Sequence, residues 1–527
     1  MKGELPVPVT PFGPLHLYAL RVHRMANTGH GHEAIAAADA YLALARLCGD
    51  RKTVPFLLQG KMYANLHMGR FAEGAQLAGE LLRLHRAAGF PMGEAKTLCD
   101  LAHFDILRAR YVDAMRNLAR ASVLLDLPHT GRGRRVSALC SFAEAATAAE
   151  MYETASDSYE QLSETTSAFE LVHATTLLYW GLRLGHIGRH DEGASRLRRS
   201  AAITRRQIDQ SSARSGVAGE AAGGQRPDDV GAIAMLALAL AKLGDVIPAE
   251  KLARDAIMPL RQAESFQAAR MAHVALGISL RAQGALSEAR TEFVAARELC
   301  AFGARPDEEP IIRFELALTA LAIDDGQSAR DLFDAVEGQT RELWRVRQQR
   351  LAMLRQARQQ EEAEAARARA EREVLRDPLT GLGNRRRFDL LLDRIDRGRL
   401  PTPLVLLLVD VDHFKAVNDA YSHSVGDRAL REVARILRAQ CRAEDIPVRY
   451  AGDEFTVFLR GDLAAGREVA ERIRAAVARS DIIPGVRLTV SVGLAALIPD
   501  MTGESLFRAA DDRLYAAKFS GRNTIAS

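Results

Sequence analysis

Three hydrophobic rhythms follow one another along the chain. Over the first two-thirds, a small residue, an acidic residue a few positions on and a second small residue return at a fixed interval. The pattern starts at Gly29 with Glu33-Ala34 and returns at Gly69 with Glu73-Gly74, Ala109 with Asp113-Ala114, Ala149 with Glu153-Thr154 and Gly188 with Glu192-Gly193, in steps of 40, 40, 40 and 39 residues. After an interruption it resumes at Gly244 with Ala249, Gly284 with Glu288-Ala289 and Asp324 with Ala329, again 40 apart, so eight units are counted. Such a period predicts stacked helical repeats over 1–336. The first small residue of a unit ends one helix in a left-handed cap, and the second lets two helices approach closely. The interruption, 207–231, is rich in Gly, Ala, Ser and Gln and predicts a mobile loop.

The second rhythm belongs to residues 341–376, which contain no Gly or Pro and are dense in Arg, Glu, Gln and Ala. One continuous helix is predicted there, serving as a connector over 337–375. Its apolar positions (Leu343, Val346, Leu351, Leu354, Ala357, Ala365, Ala368, Leu375) approximate a 3-4 spacing, with alanines replacing large residues in the second half. Either a weak parallel coiled coil or a solvated spacer helix satisfies that pattern.

The third rhythm begins with the uninterrupted aliphatic run 404–409, of strand length and suited to a central strand covered on both faces; it ends in Asp410-Val411-Asp412. Further strands are predicted at 447–450, 455–460 and 487–496, the middle two forming a hairpin around Ala451-Gly452-Asp453-Glu454. Leu506, Ala510, Leu514 and Ala517 mark one face of a late amphipathic helix.

Composition changes this picture little. The 527 residues, 48% hydrophobic and 26% charged, supply at least two cores. The formal net charge of +4 is spread without a single-sign tail, so nucleic acid is not an expected partner. Five scattered cysteines, with no Cys-x-x-Cys pair, suggest neither a disulfide framework nor a zinc site. The amino-terminal Met-Lys-Gly-Glu-Leu-Pro has no apolar signal core, and no run approaches the ~18 apolar residues of a membrane span. The expectation is a soluble, cytoplasmic protein.

If the hairpin pairs beside the central strand, Asp410 and Asp453 meet at one sheet edge with Glu454 close by. Clustered carboxylates repel one another unless cations lie between them, and oxygen ligands without His or Cys select Mg²⁺ or Mn²⁺. Phosphoryl transfer is the chemistry that such a site supports. An acidic surface turn with no catalytic role has the same local sequence.

Two resemblances carry the reading further. The repeats resemble the tetratricopeptide superfamily, with a period longer than its usual one; a receptor for a protein, peptide or small molecule, or a dimerising scaffold, is what that implies, and no residue of the repeats names the ligand. Residues 376–527 resemble the GGDEF diguanylate cyclases in several ordered motifs: Asp377-Pro378-Leu379-Thr380-Gly381-Leu382-Gly383-Asn384-Arg385-Arg386, Asp410 through Asp419, Gly426-Asp427, the hairpin signature and Ala517-Lys518-Phe519-Ser520-Gly521-Arg522-Asn523. The implied architecture is a multidomain chain: an all-α tetratricopeptide-like solenoid, a helical coiled-coil connector and an α+β GGDEF domain with a βαββαβ core like that of adenylyl cyclases and polymerase palms. The implied activity is condensation of two GTP into cyclic di-GMP and two pyrophosphates by a homodimer.

Carried over residue by residue, the resemblance makes Asp410, Asp453, Glu454 and the Val411 carbonyl the Mg²⁺ (or Mn²⁺) ligands. Asn418 and Asp427 read guanine, whose N1 and N2 donors suit a carboxylate. Phe414, Lys415, His423, Lys518 and Arg522 surround the substrate; Lys415 stabilises transition-state charge, and Glu454 accepts a proton. Lys518 and Arg522, four apart at a helix end, are expected on one face. Arg442 and Asp445, as an Arg-x-x-Asp, with Arg472 from a neighbouring helix, form an inhibitory site for the product. Two positions depart from the family pattern: Ala451 replaces the first signature Gly, and Ser422 replaces the Gly before His423. The competing expectation is a catalytically silent domain that binds GTP or cyclic di-GMP as a signalling module.

Overall fold

The structure is a computed structural model that describes residues 13–127, 132–217, 227–302, 307–481 and 487–527. It divides into two compact units, Met1–Glu362 and Ala363–Ser527.

The first unit is entirely helical among its described residues. Helices such as His16–Asn27, Gly31–Leu47, Val54–His67, Phe71–Ala87, Pro91–Leu107 and Tyr111–Leu125 follow one another across short turns, mostly of three residues. Helices also pack on their next-but-one neighbours: His16–Asn27 on Val54–His67, Pro91–Leu107 on Arg132–Ala148, and Pro227–Leu243 on Phe266–Ala282. That pairing is what a stack of helix pairs requires. Close approach rests on the small residues: a Cβ at Gly74 would lie 2.3 Å from the Phe104 ring, and one at Gly193 would lie 2.8 Å from the Gly181 carbonyl.

The helix ends differ from expectation in their interval. Left-handed residues occur not only at Gly29, Gly69, Ala109, Gly188, Gly244 and Gly284 but also at Gly49, Gly89 and Glu264, so most of the described helix ends are of this kind and the interval between successive ones is often close to twenty residues. Glu150, with φ of 58°, takes the place expected of Ala149. Asp324 is extended, with φ of −139°, and is not a left-handed cap.

The loop expected at 207–231 is largely helix. One helix runs His190–Val217 and the next begins at Pro227, because Ile208 packs against the core and the Ser211 hydroxyl donates to Asp229 at 2.6 Å. Residues 218–226 of that expected loop lie outside the described residues.

The helix expected from 341 begins at Gln327 and continues to Val374, a length of 48 residues. Its apolar stripe is not free for a seam throughout. Trp344 joins one buried core of the first unit, and Leu351 and Leu354 join another, with Ala357 packed beside them. Arg347, fully buried, donates to the Glu150 carbonyl at 2.7 Å and pairs with Glu153. The stretch left for a coiled coil is thereby shortened to Ala365 and Ala368, since the helix ends before Leu375.

In the second unit the elements are α1 (Arg385–Asp396), β1 (Leu404–Val411), α2 (Phe414–Tyr421), α3 (His423–Gln440), β2 (Ile446–Ala451), β3 (Glu454–Arg460), α4 (Leu463–Arg479), β4 (Val490–Ala496), α5 (Gly503–Phe519) and β5 (Ile525–Ala526). They form a mixed five-stranded sheet of order β2-β3-β1-β4-β5, antiparallel except for the parallel β4–β5 pair. The two-residue β5 was not among the expected strands.

β1 is buried along its whole length, and its alternation sorts its side chains onto two cores. Val405, Leu407, Val409 and Val411 pack with α3 and α4, whereas Leu404, Leu406 and Leu408 pack with α1 and α5. Each such side chain contributes about 1.5–3 kcal/mol of burial. Asp410 therefore falls on the α5 side. α5 lies directly on β4 at Gly493, where a Cβ would come within 2.1 Å of the Leu514 nitrogen.

Candidate nucleotide and metal site

Register brings the carboxylates together. Asp410, next to last in β1, lies opposite Glu454 of β3, and the Val411 amide donates to the Asp453 carbonyl at 3.3 Å. The β2–β3 turn works with Ala451 in place of glycine because Ala451 sits in β2 as an extended strand residue; Gly452 alone takes the left-handed position there, with φ of 40°.

Charge at this edge is concentrated. Burial raises the Asp410 carboxyl above its ordinary range; Lys518 pulls it back, and Asp453 and Asp412 push it up again. Glu454 is raised by burial first and then by Asp410 and Asp453, with Lys518 opposing. The Lys518 ammonium sits 2.7 Å from Asp410. Among the described residues no three metal-ligating side chains are drawn up around one point. The donor chemistry nevertheless fits a hard divalent cation: three mutually repelling carboxylates and a backbone carbonyl, with an ammonium holding one of them.

A second cluster forms between α2 and α3. Gly426 is required here, since a Cβ would lie 1.9 Å from the Asn418 side-chain oxygen and 3.1 Å from the Phe414 ring. Asn418, Phe414 and the Gly426-Asp427 corner thus adjoin, while His423 opens α3 and is exposed, as is Lys415. Ser422, between the helices, has φ of 121° and ψ of 159°, a conformation suited to glycine.

Arg522 departs from expectation. α5 stops at Phe519, and Arg522 lies beyond it in a left-handed turn with φ of 63°, its amide donating to the Ala517 carbonyl at 3.3 Å. It is not on one helical face with Lys518, because Gly521 and Asn523 turn the chain toward β5.

The Arg-x-x-Asp segment follows α3. Asp445 is buried and accepts from the Arg442 amide at 2.7 Å and the Arg460 amide at 3.2 Å, so its carboxylate holds the turn while the Arg442 side chain is exposed. Arg472 of α4 donates to the Gln440 side chain and carbonyl, both at 3.2 Å, which places it at the same end of α3.

Three residues were missed as site builders. Asp412 accepts from Thr489 (2.7 Å), Ser491 (2.6 Å) and the Asn523 amide (3.0 Å), tying the end of β1 to β4 and to the turn after Lys518. Asp377 accepts from the Thr380 amide and hydroxyl at 2.8 and 2.6 Å and from Arg449 at 3.3 Å; Arg449 also donates to the Gly452 carbonyl at 2.8 Å. The opening motif is thus wired to the hairpin tip. Only the adjacent acidic residue in Asp410-Val411-Asp412 signalled any of this locally.

Comparison with known proteins agrees with this geometry. The family described as "Diguanylate cyclase, GGDEF domain" matches residues 374–524. The response regulator PleD of Caulobacter vibrioides is 40% identical over 160 residues, which are 28% of this chain and 35% of that protein. Diguanylate cyclase DgcP of Pseudomonas aeruginosa is 39% identical over 158 residues, covering 29% and 24%. The chain thus spans about a third or less of the length of these two relatives. Among solved structures, the coiled coil and GGDEF domain of DgcB from Caulobacter crescentus, in complex with c-di-GMP, is 33% identical, with a TM-score of 0.29 over 33% of this chain and 96% of that one. Residues 374–524, within the second unit, thus match the GGDEF domain of diguanylate cyclases.

Proposed function

We propose that the chain is a diguanylate cyclase that condenses two GTP into cyclic di-GMP and two pyrophosphates, as a homodimer governed by its helical repeats. The observation that supports this reading is the pairing of Asp410 with Glu454 across β1 and β3, with Asp453 near enough to act on both carboxyls, and the contact of Gly426 with Asn418 in the same unit. Asp410, Asp453, Glu454 and the Val411 carbonyl would hold Mg²⁺ or Mn²⁺, which when bound supplies Lewis acidity and countercharge to the triphosphate.

The remaining chemistry belongs to side chains. Asn418 and Asp427 accept the guanine donors, and Phe414 and His423 border the nucleotide. Glu454 takes the proton of one GTP's 3′ hydroxyl as that oxygen bonds to the α-phosphorus of the other GTP, and the bond to pyrophosphate breaks. Lys415 offsets charge on the transferring phosphoryl; Lys518 and Arg522 offset that of the triphosphate and leaving pyrophosphate. The step occurs twice. Each domain holds one GTP, so two domains face each other. Arg442 and Arg472 grip the product at a separate inhibitory site held in shape by Asp445. The tetratricopeptide-like repeats take up a ligand and act through the long helix.

Incubation with GTP and Mg²⁺ should yield cyclic di-GMP, and Asp453→Ala should lower the rate at least ~1,000-fold, as loss of a transition-state contact does. GTP left unchanged by the parent protein would overturn the reading in favour of a silent binding domain. In the same assay, Arg442→Ala should remove inhibition by added product without lowering the initial rate.

A further inference from the structure

After α5 the chain passes through three consecutive left-handed residues, Gly521 with φ of 107°, Arg522 with φ of 63° and Asn523 with φ of 47°. Glycine adopts such a state freely, whereas an arginine holds it only where the surroundings impose it.

Two groups from outside the turn impose it. The Asp412 carboxylate, 4% exposed, accepts the Asn523 amide at 3.0 Å, and its other side-chain partners are the hydroxyls of Thr489 at 2.7 Å and Ser491 at 2.6 Å. From α4, Arg474 donates to the Asn523 side-chain oxygen at 2.9 Å and to its carbonyl at 3.4 Å, while Glu471 holds the same guanidinium at 2.6 Å. Asn523 is thereby gripped at its amide, its carbonyl and its side chain. Arg522, one residue earlier, is exposed, and among the described residues its side chain has no hydrogen-bond or ion-pair partner. The same turn follows closely on Lys518, whose ammonium lies 2.7 Å from Asp410. A turn fixed at three points that leaves its guanidinium unengaged keeps that guanidinium available to an anion.

We propose that Asp412 and Arg474 are positioning residues that clamp the turn at Asn523 and thereby hold the Arg522 guanidinium to the phosphates of the bound nucleotide. The assignment rests on the nucleotide reading above. It separates Asp412 from the metal-binding carboxylates beside it, because the turn uses the hydrogen-bond geometry of Asp412 and not its charge. A carboxamide reproduces that geometry: its oxygen accepts the Asn523 amide and the Thr489 hydroxyl, and its amino group donates to Ser491.

The probe is α,β-methylene GTP, whose bridge resists cleavage, titrated calorimetrically with Mg²⁺ into the full-length protein. Arg522→Ala, Asp412→Ala and Arg474→Ala should each weaken binding at least ~10-fold, as loss of a charge-assisted hydrogen bond does. Asp412→Ala combined with Arg522→Ala should lose no more than ~3-fold beyond Arg522→Ala alone, because both changes remove one interaction. Asp412→Asn should bind within ~3-fold of the parent. The Asn523 amide should lose protection from hydrogen exchange in Asp412→Ala and keep it in Asp412→Asn. A parent protein that binds no analogue would overturn the nucleotide reading and this assignment together. With the parent binding, the assignment alone is overturned by undiminished affinity in any of the three alanine variants, by additive losses in the double variant, or by Asp412→Asn binding as weakly as Asp412→Ala. Should Asp412→Ala fail to fold by circular dichroism, Arg474→Ala takes its place in the same comparison with Arg522→Ala.

Discussion

Two substituted residues of the GGDEF domain behave in opposite ways. Ala451 costs little because the position is an ordinary strand residue and the neighbouring Gly452 makes the left-handed turn. Ser422 is strained, since φ of 121° with ψ of 159° is a backbone state for glycine. Relief of about 1–3 kcal/mol of strain, less about 0.5–1 kcal/mol for glycine's extra chain entropy, leaves Ser422→Gly more stable by roughly 1 kcal/mol. The thermal transition of the GGDEF domain should rise accordingly; an unchanged or lower transition would show that the serine is unstrained.

At the scale of elements, the opening motif acts as a brace between the end of the long helix and the signature hairpin. Asn384 donates to the Val374 and Arg376 carbonyls at 2.8 and 3.0 Å, and Arg449 joins Asp377 to the Gly452 carbonyl. Burial works to raise the Asp377 carboxyl, but the Thr380 and Arg449 hydrogen bonds outweigh it and hold the group below its ordinary range. The folded carboxyl is thus the stronger acid. Its stabilising contribution is fully present above about pH 4 and is lost as pH falls through the folded value. Asp377→Asn should cost about 1–3 kcal/mol at neutral pH, with the gap from the parent narrowing below about pH 4. Denaturant titrations at several pH values measure this, and a gap constant with pH would exclude the charged brace.

At the scale of the whole molecule, the proposed reaction requires two GGDEF domains, because one domain supplies one nucleotide. Turnover per chain should therefore rise with protein concentration and level off once dimers predominate. A turnover per chain that stays constant down to low nanomolar protein, with monomers confirmed by light scattering, would contradict a shared site. In the proposed reading, the helical first unit has a physical route to that equilibrium. Trp344, Leu351 and Leu354 place the first part of the long helix in the cores of the first unit, so a repacking there moves the helix itself. Among the described residues no helix is long and apolar enough to cross a membrane, and the five cysteines are all free thiols.

Much of this was legible in the chain because it is local or periodic. A continuous aliphatic run announces β1, since both of its faces must be covered; Gly426-Asp427 and the hairpin carboxylates are local motifs; and the helical character of the first unit follows from its spacing of small residues. The forty-residue rhythm hid a twenty-residue one because Gly49 and Gly89 hold left-handed ends without the acidic–small pair four positions on, and Glu264 does so without being glycine. The expected loop at 207–217 became helix for a similar reason, as Ile208 found a core that composition cannot reveal.

Tertiary structure alone decided what joins distant residues. Strand parity and the contact at Gly493 set Lys518 beside Asp410, 108 positions away in the sequence. Arg449 reaches Asp377 across 72 residues, and Asp412 reaches the Asn523 amide across 111. The end of α5 removed Arg522 from the helical face that spacing had assigned to it. Residue types and intervals determine which groups are available and which elements carry them. Packing determines which of those groups meet, because charge, desolvation and hydrogen bonding act over a few ångströms of space and take no account of separation along the chain.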